Sequence, residues 1–489
     1  MTPVPHVIIC GAGLTGLTTA WHLQRAGIDV TVVEATDAVG GAMQSTQRDG
    51  YLVEHGPNSC MLTAPLATLV DALDLTPMLR VAAPQAQRRY IVRDGRALVV
   101  PSSPPAMLRS PLFSASAKLR VLAEPFIGRR AATGDESVAS FVRRRLGSEP
   151  LAWAVDPFVS GVYAGDPEQL SVRHAFPRLA ALEREHGSLI RGMIAGARER
   201  RVATGQPALT SARATMVSFR DGMATLPRAL ADSIGHANIL RRTRVVAIAH
   251  ERGRSNVTVE HDGARITLSA DTVISTLPLH ALTQITLAES ANGGLARLAA
   301  VPYPPVSSLA LGFRRADVAH ALDGFGVLVP SAERKRILGV LFSSTLFEHR
   351  APSDFVLLTC FLGGVRQPDV GRMSTAALLD LVQPELASML GVTGAPTFVQ
   401  HTVWPHAIPQ YNLGHDEVVH AAEAVEAAMP GLIIDGQFRR GVSVGDCIAA
   451  GALIATRATE MAHRAIAVRG ADNADDVSIH TPAAPAAVA

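Results

Sequence analysis

Lysine is nearly absent from this chain. Of 45 lysine and arginine residues, only Lys118 and Lys335 are lysines. Cysteine is equally scarce, and Cys10, Cys60, Cys360 and Cys447 form no C-x-x-C pair. That removes a disulfide scaffold or a zinc ribbon and suits buried apolar fillers. Hydrophobic residues make up 48% of the chain and mean hydropathy is +0.20, yet no uninterrupted apolar run reaches the roughly 18 residues of a transmembrane helix. The first apolar strand follows the N-terminus almost at once, leaving no room for a signal peptide and predicting a cytoplasmic protein. Net charge is only +2, with no long block of one sign, so nucleic acid is not an expected partner. G-x-S-x-G, H-E-x-x-H and P-loop motifs are missing, as are internal repeats, so hydrolase, zinc-protease and NTPase chemistry have no support and no metal site is expected.

What is present begins at Val7–Glu34, VIICGAGLTGLTTAWHLQRAGIDVTVVE. An apolar strand leads into a glycine turn, an amphipathic helix and a second apolar strand that ends on an acid. Gly11, Gly13 and Gly16 form G-x-G-x-x-G, where a tight turn, a close approach to pyrophosphate and helix–strand packing each exclude a Cβ. The helix points its amide N–H groups and positive dipole end at the phosphates. Glu34 stands where a carboxylate accepts hydrogen bonds from ribose hydroxyls. Three glycines alone would suit any turn; the strand–turn–helix–strand–acid context points to a dinucleotide site.

Gly40-Gly41 follows the second strand and suits a long dinucleotide that needs close backbone approach there too. Tyr51–Ser59 reads as a strand entering a Gly-Pro turn. Leu66–Leu75 has helical spacing. Residues 87–100 form a hairpin about Asp94-Gly95, opened by Arg88 and Arg89, which on their own suit a solvated strand end. From Pro101 to about Gly205 the chain is helical and arginine-rich. Within it, Pro111–Phe126 mixes large apolar residues with Lys118 and Arg120, as an interfacial helix would. Pro157–Gly165, with two glycines in an apolar run, predicts close packing against its backbone, and Asp166-Pro167-Glu168 predicts a helix start. Strands at 245–248, 257–260 and 271–274 are expected to rejoin the N-terminal sheet. Apolar strands between Ser307 and Gly364 predict a second, largely antiparallel sheet. Gly431–Gly436 repeats the strand–turn–helix logic of the N-terminus.

Three blocks, PFVSGVYAGDPEQLSVRHAFPRL (157–179), AIPQYNLGH (407–415) and GQFRRGVSVGDCI (436–448), together with the glycine turn, carry a family likeness. The chain resembles the FAD-dependent protoporphyrinogen oxidases of the flavin amine-oxidase superfamily, from Val7 to about Ala462. The resemblance implies an α/β fold with a discontinuous Rossmann-like FAD-binding domain (1–86, 214–282 and 428–468). A substrate domain with a largely antiparallel sheet (87–100 and 283–427), a helical insert (101–213) and a disordered tail (469–489) would complete it. Its FAD contacts would be Gly11, Ala12, Gly13, Leu14, Thr15, Gly16, Glu34, Ala35, Gly40, Gly41, Ala42 and the turn Gly56-Pro57-Asn58-Ser59. Val245 would meet the adenine half, with Gln437, Val442, Ser443 and Val444 under the flavin. A porphyrinogen would be held by Arg89 at a propionate and by Phe325, Leu328 and Phe361 at the macrocycle, and Gly161 would leave room for it. No acid or base is implied; Arg89 and Gly161 would position substrate for hydride transfer, with O2 as final acceptor. The long lysine-free stretch between Lys118 and Lys335 disfavours an amine oxidase with a lysine beside the flavin. Coproporphyrinogen III oxidation and a non-catalytic flavin scaffold remain open. A homodimer and peripheral contact with lipid at the inner face of the cell membrane are further expectations.

Overall fold

The computed structural model describes residues 4–129, 134–204, 215–251 and 253–478. The chain divides into two compact units: Met1–Gly41 with Leu226–Ala300 and Val419–Ala489, and Ala42–Thr225 with Val301–Val418.

The first unit is built on the glycine-turn segment. Strands His6–Cys10 and Asp29–Val33 run parallel, joined by the helix Leu14–Arg25. Ile239–Leu240 flanks one side, and Thr272–Ser275 and Leu432–Ile434 extend the other, all in parallel. The near-continuous apolar character of these strands fits a sheet covered on both faces. The helix Val444–Ser478 packs on Leu14–Arg25 at Gly451, where a Cβ would stand 2.7 Å from Thr18 Cβ.

Two expectations about this unit need correcting. The strands around 245–248 and 257–260 do not rejoin the parallel sheet. Thr243–Glu251, Arg254–His261 and Ala264–Ala270 form their own antiparallel sheet. Arg254–His261 alternates buried and half-exposed residues, the signature of a strand covered on one face only. Only Thr272–Ser275 joins the parallel sheet, as expected. The disordered tail expected from residue 469 is helical as far as Ser478: the last helix continues through an alanine-containing stretch that can propagate a helix already nucleated and packed upstream. Residues 479–489 lie outside the described residues.

The second unit centres on a seven-stranded sheet. Its order is Phe398–Trp404, Val306–Arg314, Phe355–Gly363, Ile337–Leu341, Gly326–Leu328, Tyr90–Arg93, Arg96–Val99. Every pairing is antiparallel except Gly326–Leu328 with Tyr90–Arg93. The hairpin turns at Asp94-Gly95 with both residues at positive φ, 53° and 72°, as a two-residue turn of this twist requires. One face of the sheet buries Val327, Val340 and Cys360 against Leu378, Val382 and Leu386 of the helix Thr375–Leu390. The segment after Pro101 is helical as expected, although residues 130–133 and 205–214 lie outside the described residues.

The expected helix at Asp166 does not form. Asp166 Oδ1 accepts from Glu168 N at 3.0 Å, but after one turn Leu170 leaves to bridge Asn412. Asp166 caps a turn and stops.

Candidate functional site

In the first unit the strand His6–Cys10 ends at Gly11, whose φ of +103° only glycine adopts readily. Gly11 N donates to Val33 O at 2.8 Å, tying the turn to the neighbouring strand. Gly16 faces that turn so closely that a Cβ would lie 2.0 Å from Gly11 O. Gly13 is different: nothing lies within 4 Å of where its Cβ would be. This is the open side of the cradle. Gly13 also bridges Gly40 in parallel fashion, and Gly40 N donates to Ala12 O at 2.7 Å. The glycine pair therefore packs on the glycine turn itself. The helix starting at Leu14 has neither a side-chain cap nor an acid in its first turn, leaving its amide end for an anion.

Glu34 Oε2 accepts from Ala12 N at 2.9 Å, and Oε1 accepts from Thr36 N and Thr36 Oγ1 at 2.9 and 2.8 Å. The carboxylate is fixed beside the turn, and oxygen lone pairs remain for hydroxyl donors. Ala35 follows it directly. Val245 is buried at a bulge in the antiparallel sheet. Gln437 opens the short helix Gln437–Arg440, flanked by Gly436 and Gly441 at φ +139° and +115°. The helix at Val444 is closed by a reciprocal cap: Ser443 Oγ accepts from Asp446 N at 3.1 Å, and Asp446 Oδ2 accepts from Ser443 Oγ at 2.6 Å. That helix end thus carries an acid of its own, which offsets part of its dipole. The open cradle at Gly13, the uncapped helix and the oriented Glu34 fit a dinucleotide's phosphates and ribose. All four cysteines are free and buried, as expected; burial pushes the Cys10 thiol up to about 12.

In the second unit, Gly56 comes so close to Ala42 that a Cβ would stand 2.1 Å from Ala42 O. The turn continues through Pro57, Asn58 and Ser59, with Asn58 Nδ2 donating to Gly56 O at 3.2 Å. Just ahead of it lies a group that sequence reasoning missed. Glu54 is 5% exposed and pairs with buried Arg350 at 2.7 Å. It also accepts from Ser45 Oγ and from Met223 N. Burial raises the Glu54 carboxyl's pKa, opposed by Arg350 and these hydrogen bonds. Glu54, Asn58 and Arg350 line a cavity of about 10 Å³, the size of a single water.

Two of the residues expected at a substrate, Leu328 and Phe361, lie on the sheet face opposite the helix Thr375–Leu390. Leu328 stands directly across from Gly339, and Gly339 directly across from Phe361. Opposed residues on neighbouring strands share a face, so Leu328 and Phe361 are separated by a glycine. Two strand spacings put the backbones that carry Leu328 and Phe361 roughly 9–10 Å apart, with the glycine row as a trough between them. Gly161, on the helix Asp156–Tyr163, meets Leu328: its Cβ would lie 2.6 Å from Leu328 Cδ2, and a Gly339 Cβ would lie 3.3 Å from the same methyl. The Leu328 methyl is seated between two glycines. The close packing expected against 157–165 is therefore with Leu328 at Gly161 and with Gln410 at Gly165.

Arg89 and Phe325 form a second group. The Arg89 guanidinium lies 5.3 Å above the Phe325 ring, and among the described residues no carboxylate pairs with it. Arg88 is engaged instead with Asp323, which also accepts from Tyr90 Oη at 2.5 Å. Phe325 N donates to Arg88 O at 2.7 Å, fixing the aromatic beside the hairpin. Of the two arginines, Arg89 is the one available to an anion. Gly339, Glu54 and Arg350 gave no sequence signal: their roles depend on register and long-range pairing.

Residues 14–459 match the family of flavin containing amine oxidoreductases. The chain is 34% identical to protoporphyrinogen oxidase 2, chloroplastic/mitochondrial, of Arabidopsis thaliana over 91% of this chain and 92% of that one. It is 28% identical to the coproporphyrinogen III oxidase of Bacillus subtilis over 91% and 95% of the two chains. A crystal structure from Exiguobacterium sp. 255-15 superposes with a TM-score of 0.78 at 23% identity, covering 94% of this chain and 99% of that one.

Proposed function

Because this chain belongs to the flavin-containing amine oxidoreductase family, we propose that it oxidises protoporphyrinogen IX to protoporphyrin IX. It is an FAD-dependent oxidoreductase, and the residues at Gly13 and Glu34 fit that cofactor. The observation carrying the substrate reading is the row Leu328–Gly339–Phe361, two apolar side chains on either side of a glycine, with Arg89 available to a carboxylate in the same unit. A flat apolar ring with propionate arms asks for that combination: a hydrophobic slot and a guanidinium that binds carboxylate bidentately.

When bound, FAD would supply a two-electron acceptor, with O2 reduced to hydrogen peroxide as it regenerates the oxidised flavin, and three rounds would account for the six electrons of the overall reaction. Arg89 holds a propionate, and Leu328 and Phe361 bound the macrocycle from two sides. Gly161 and Gly339 keep the slot clear. Since the ring can tautomerise, positioning by these residues supplies the catalysis the chain itself contributes. The oxidation of coproporphyrinogen III by the same residues is the second reading, favoured by the Bacillus relative's name. The two substrates differ in propionate number, so a side-by-side assay of porphyrin fluorescence in air decides between them. Turnover of neither porphyrinogen by yellow, FAD-loaded protein would overturn both.

Lipid contact is a further part of the proposal. Among the described residues no helix is long and apolar enough to cross a membrane. Leu119, Leu122 and Phe126 are 67%, 58% and 86% exposed beside Lys118 and Arg120, an arrangement suited to an anionic membrane surface at the cytoplasmic face. A homodimer belongs to the same reading. Wild-type protein should sediment with anionic liposomes at low salt and Phe126→Asp should not; equal sedimentation removes this surface from consideration.

A further inference from the structure

Two buried or half-buried carboxylates flank the helix that carries Gly161. Asp156 is its first residue and is 4% exposed; Asp166 lies three residues past its end. A single guanidinium joins them. Arg366 Nη1 donates to Asp156 Oδ1, and Arg366 Nη2 donates to Asp166 Oδ1 at 2.8 Å. Asp156 Oδ2 also accepts from Ser331 N at 2.9 Å. The second contact matters because Ser331 lies three residues beyond Leu328, and Arg366 lies five residues beyond Phe361. The backbone supports the same junction: Val365 N donates to Ala164 O at 2.8 Å, and a Cβ at Gly364 would stand 2.6 Å from that oxygen.

We infer that Asp156, Arg366 and Asp166 form a bracket that sets the width of the substrate trough, with Arg366 as a positioning residue. This rests on the porphyrinogen reading for its substrate, though not for its geometry. Each of the three segments lining the trough reaches the bracket. The Gly161 helix is held at its start and just past its end, the Leu328 strand through Ser331, and the Phe361 strand through Arg366. A planar fork is what allows one side chain to serve two carboxylates on separate turns; an ammonium cannot present that geometry. Beside the bracket, Ser160, Ser331, Arg366 and Gln367 line a cavity of about 30 Å³, space for a water rather than a ligand. The cluster therefore acts on substrate through the walls and not by touching it.

Arg366→Met removes both pairs while keeping an apolar stem, and Arg366→Lys keeps the charge but not the fork. The bracket predicts a KM for protoporphyrinogen IX raised roughly tenfold in Arg366→Met, with kcat within about threefold of wild type and FAD content and flavin absorbance unchanged, since losing a charge-assisted hydrogen bond is worth that much. Arg366→Lys and Asp166→Asn should fall between. Asp156→Asn combined with Arg366→Met removes the stranded buried charge and keeps a folded variant to measure. An unchanged KM in folded, flavin-loaded protein overturns the inference. So does a fall in kcat, FAD content and melting temperature together with the rise in KM, which marks a merely structural pair. Wild-type protein inactive on both porphyrinogens would sink the substrate reading alone. The bracket is then decided by hydrogen exchange on substrate-free protein: Arg366→Met should speed exchange in residues 156–166 and 326–331 together, and unchanged protection refutes it.

Discussion

Replacing Gly161 with alanine should separate substrate handling from stability. The new Cβ would stand 2.6 Å from Leu328 Cδ2 and 3.9 Å from Leu328 Cγ. Carbon–carbon contact is favourable from roughly 3.5 Å, so the methyl must retreat by about 1 Å. Gly339 offers room, having no side chain, and movement over Gly339 is movement into the trough. Forcing an extra methyl into a packed site costs about 1–3 kcal/mol. Against this, alanine gains about 0.5–1 kcal/mol over glycine inside a helix. The net cost in folding is then about 1 kcal/mol, so the melting temperature should shift by only about 2–4 °C. Substrate binding has no such offset: losing about 1.4 kcal/mol there raises KM roughly tenfold. The assay is porphyrin fluorescence over a protoporphyrinogen IX series, alongside a melting curve and flavin absorbance. Leu328→Ala in the Gly161→Ala background removes the clashing methyl and should recover most of the lost KM. A KM within about twofold of wild type, or two substitutions whose effects simply add, would refute the wall argument.

Three further outcomes follow from the same geometry. Arg89→Ala should weaken apparent porphyrinogen affinity by about 10- to 100-fold through loss of a charged hydrogen-bond partner and leave FAD content untouched; a matching loss at Arg88→Ala with none at Arg89→Ala would assign the propionate to Arg88 instead. Glu34→Ala removes the acceptor held by Ala12 N and Thr36, so the purified protein should lose FAD on dialysis while Arg89 variants keep it; equal retention would place the ribose elsewhere. His174 is held down to about 4 by burial first, then by the nearby His415 and Arg173, while Arg173 also pairs with its Asp416 partner. The unfolded chain binds that proton near pH 6.5, so His174 contributes stability that is full above about pH 6.5 and declines as pH falls toward 4. His174→Gln should flatten the melting temperature between those values, and an unchanged slope would mean that another group titrates.

The dinucleotide half was legible because its chemistry is local. Strand, turn, helix and acid from Val7 to Glu34 lie in one supersecondary unit, where each glycine's requirement is set by near neighbours. The parallel sheet and the hairpin at Asp94-Gly95 were legible for the same reason. Legibility failed where a local signal met a distant partner. Asp166-Pro167-Glu168 has the composition of a helix start, yet Leu170 and Asn412 pair across the chain and end it after one turn. Arg254–His261 has a strand pattern, but periodicity does not say which sheet a strand enters. Glu54–Arg350 and Asp156–Arg366 join residues hundreds of positions apart, and a lone acid in a sequence does not name its cation.

The trough shows the limit most sharply, because it depends on a single residue of register. Ile337 pairs with Leu362, but Gly339, not Leu338, pairs with Phe361, because the strand bulges between Ile337 and Gly339. A bulge puts two residues on one strand opposite one on its neighbour and moves every later side chain by one place. Leu338, on the bulge, packs against Phe361 and Ala164, and Gly339 takes the place directly between Leu328 and Phe361. Phe325, Leu328 and Phe361 can be named from a family likeness, but the placing of Gly339 between Leu328 and Phe361 is set by the bulge. Gly339→Leu is therefore the substitution that should close the trough while leaving Arg89 and the dinucleotide turn intact. Its expected signature is full FAD content with porphyrinogen turnover lost, and turnover retained at wild-type KM would show that the macrocycle does not lie there.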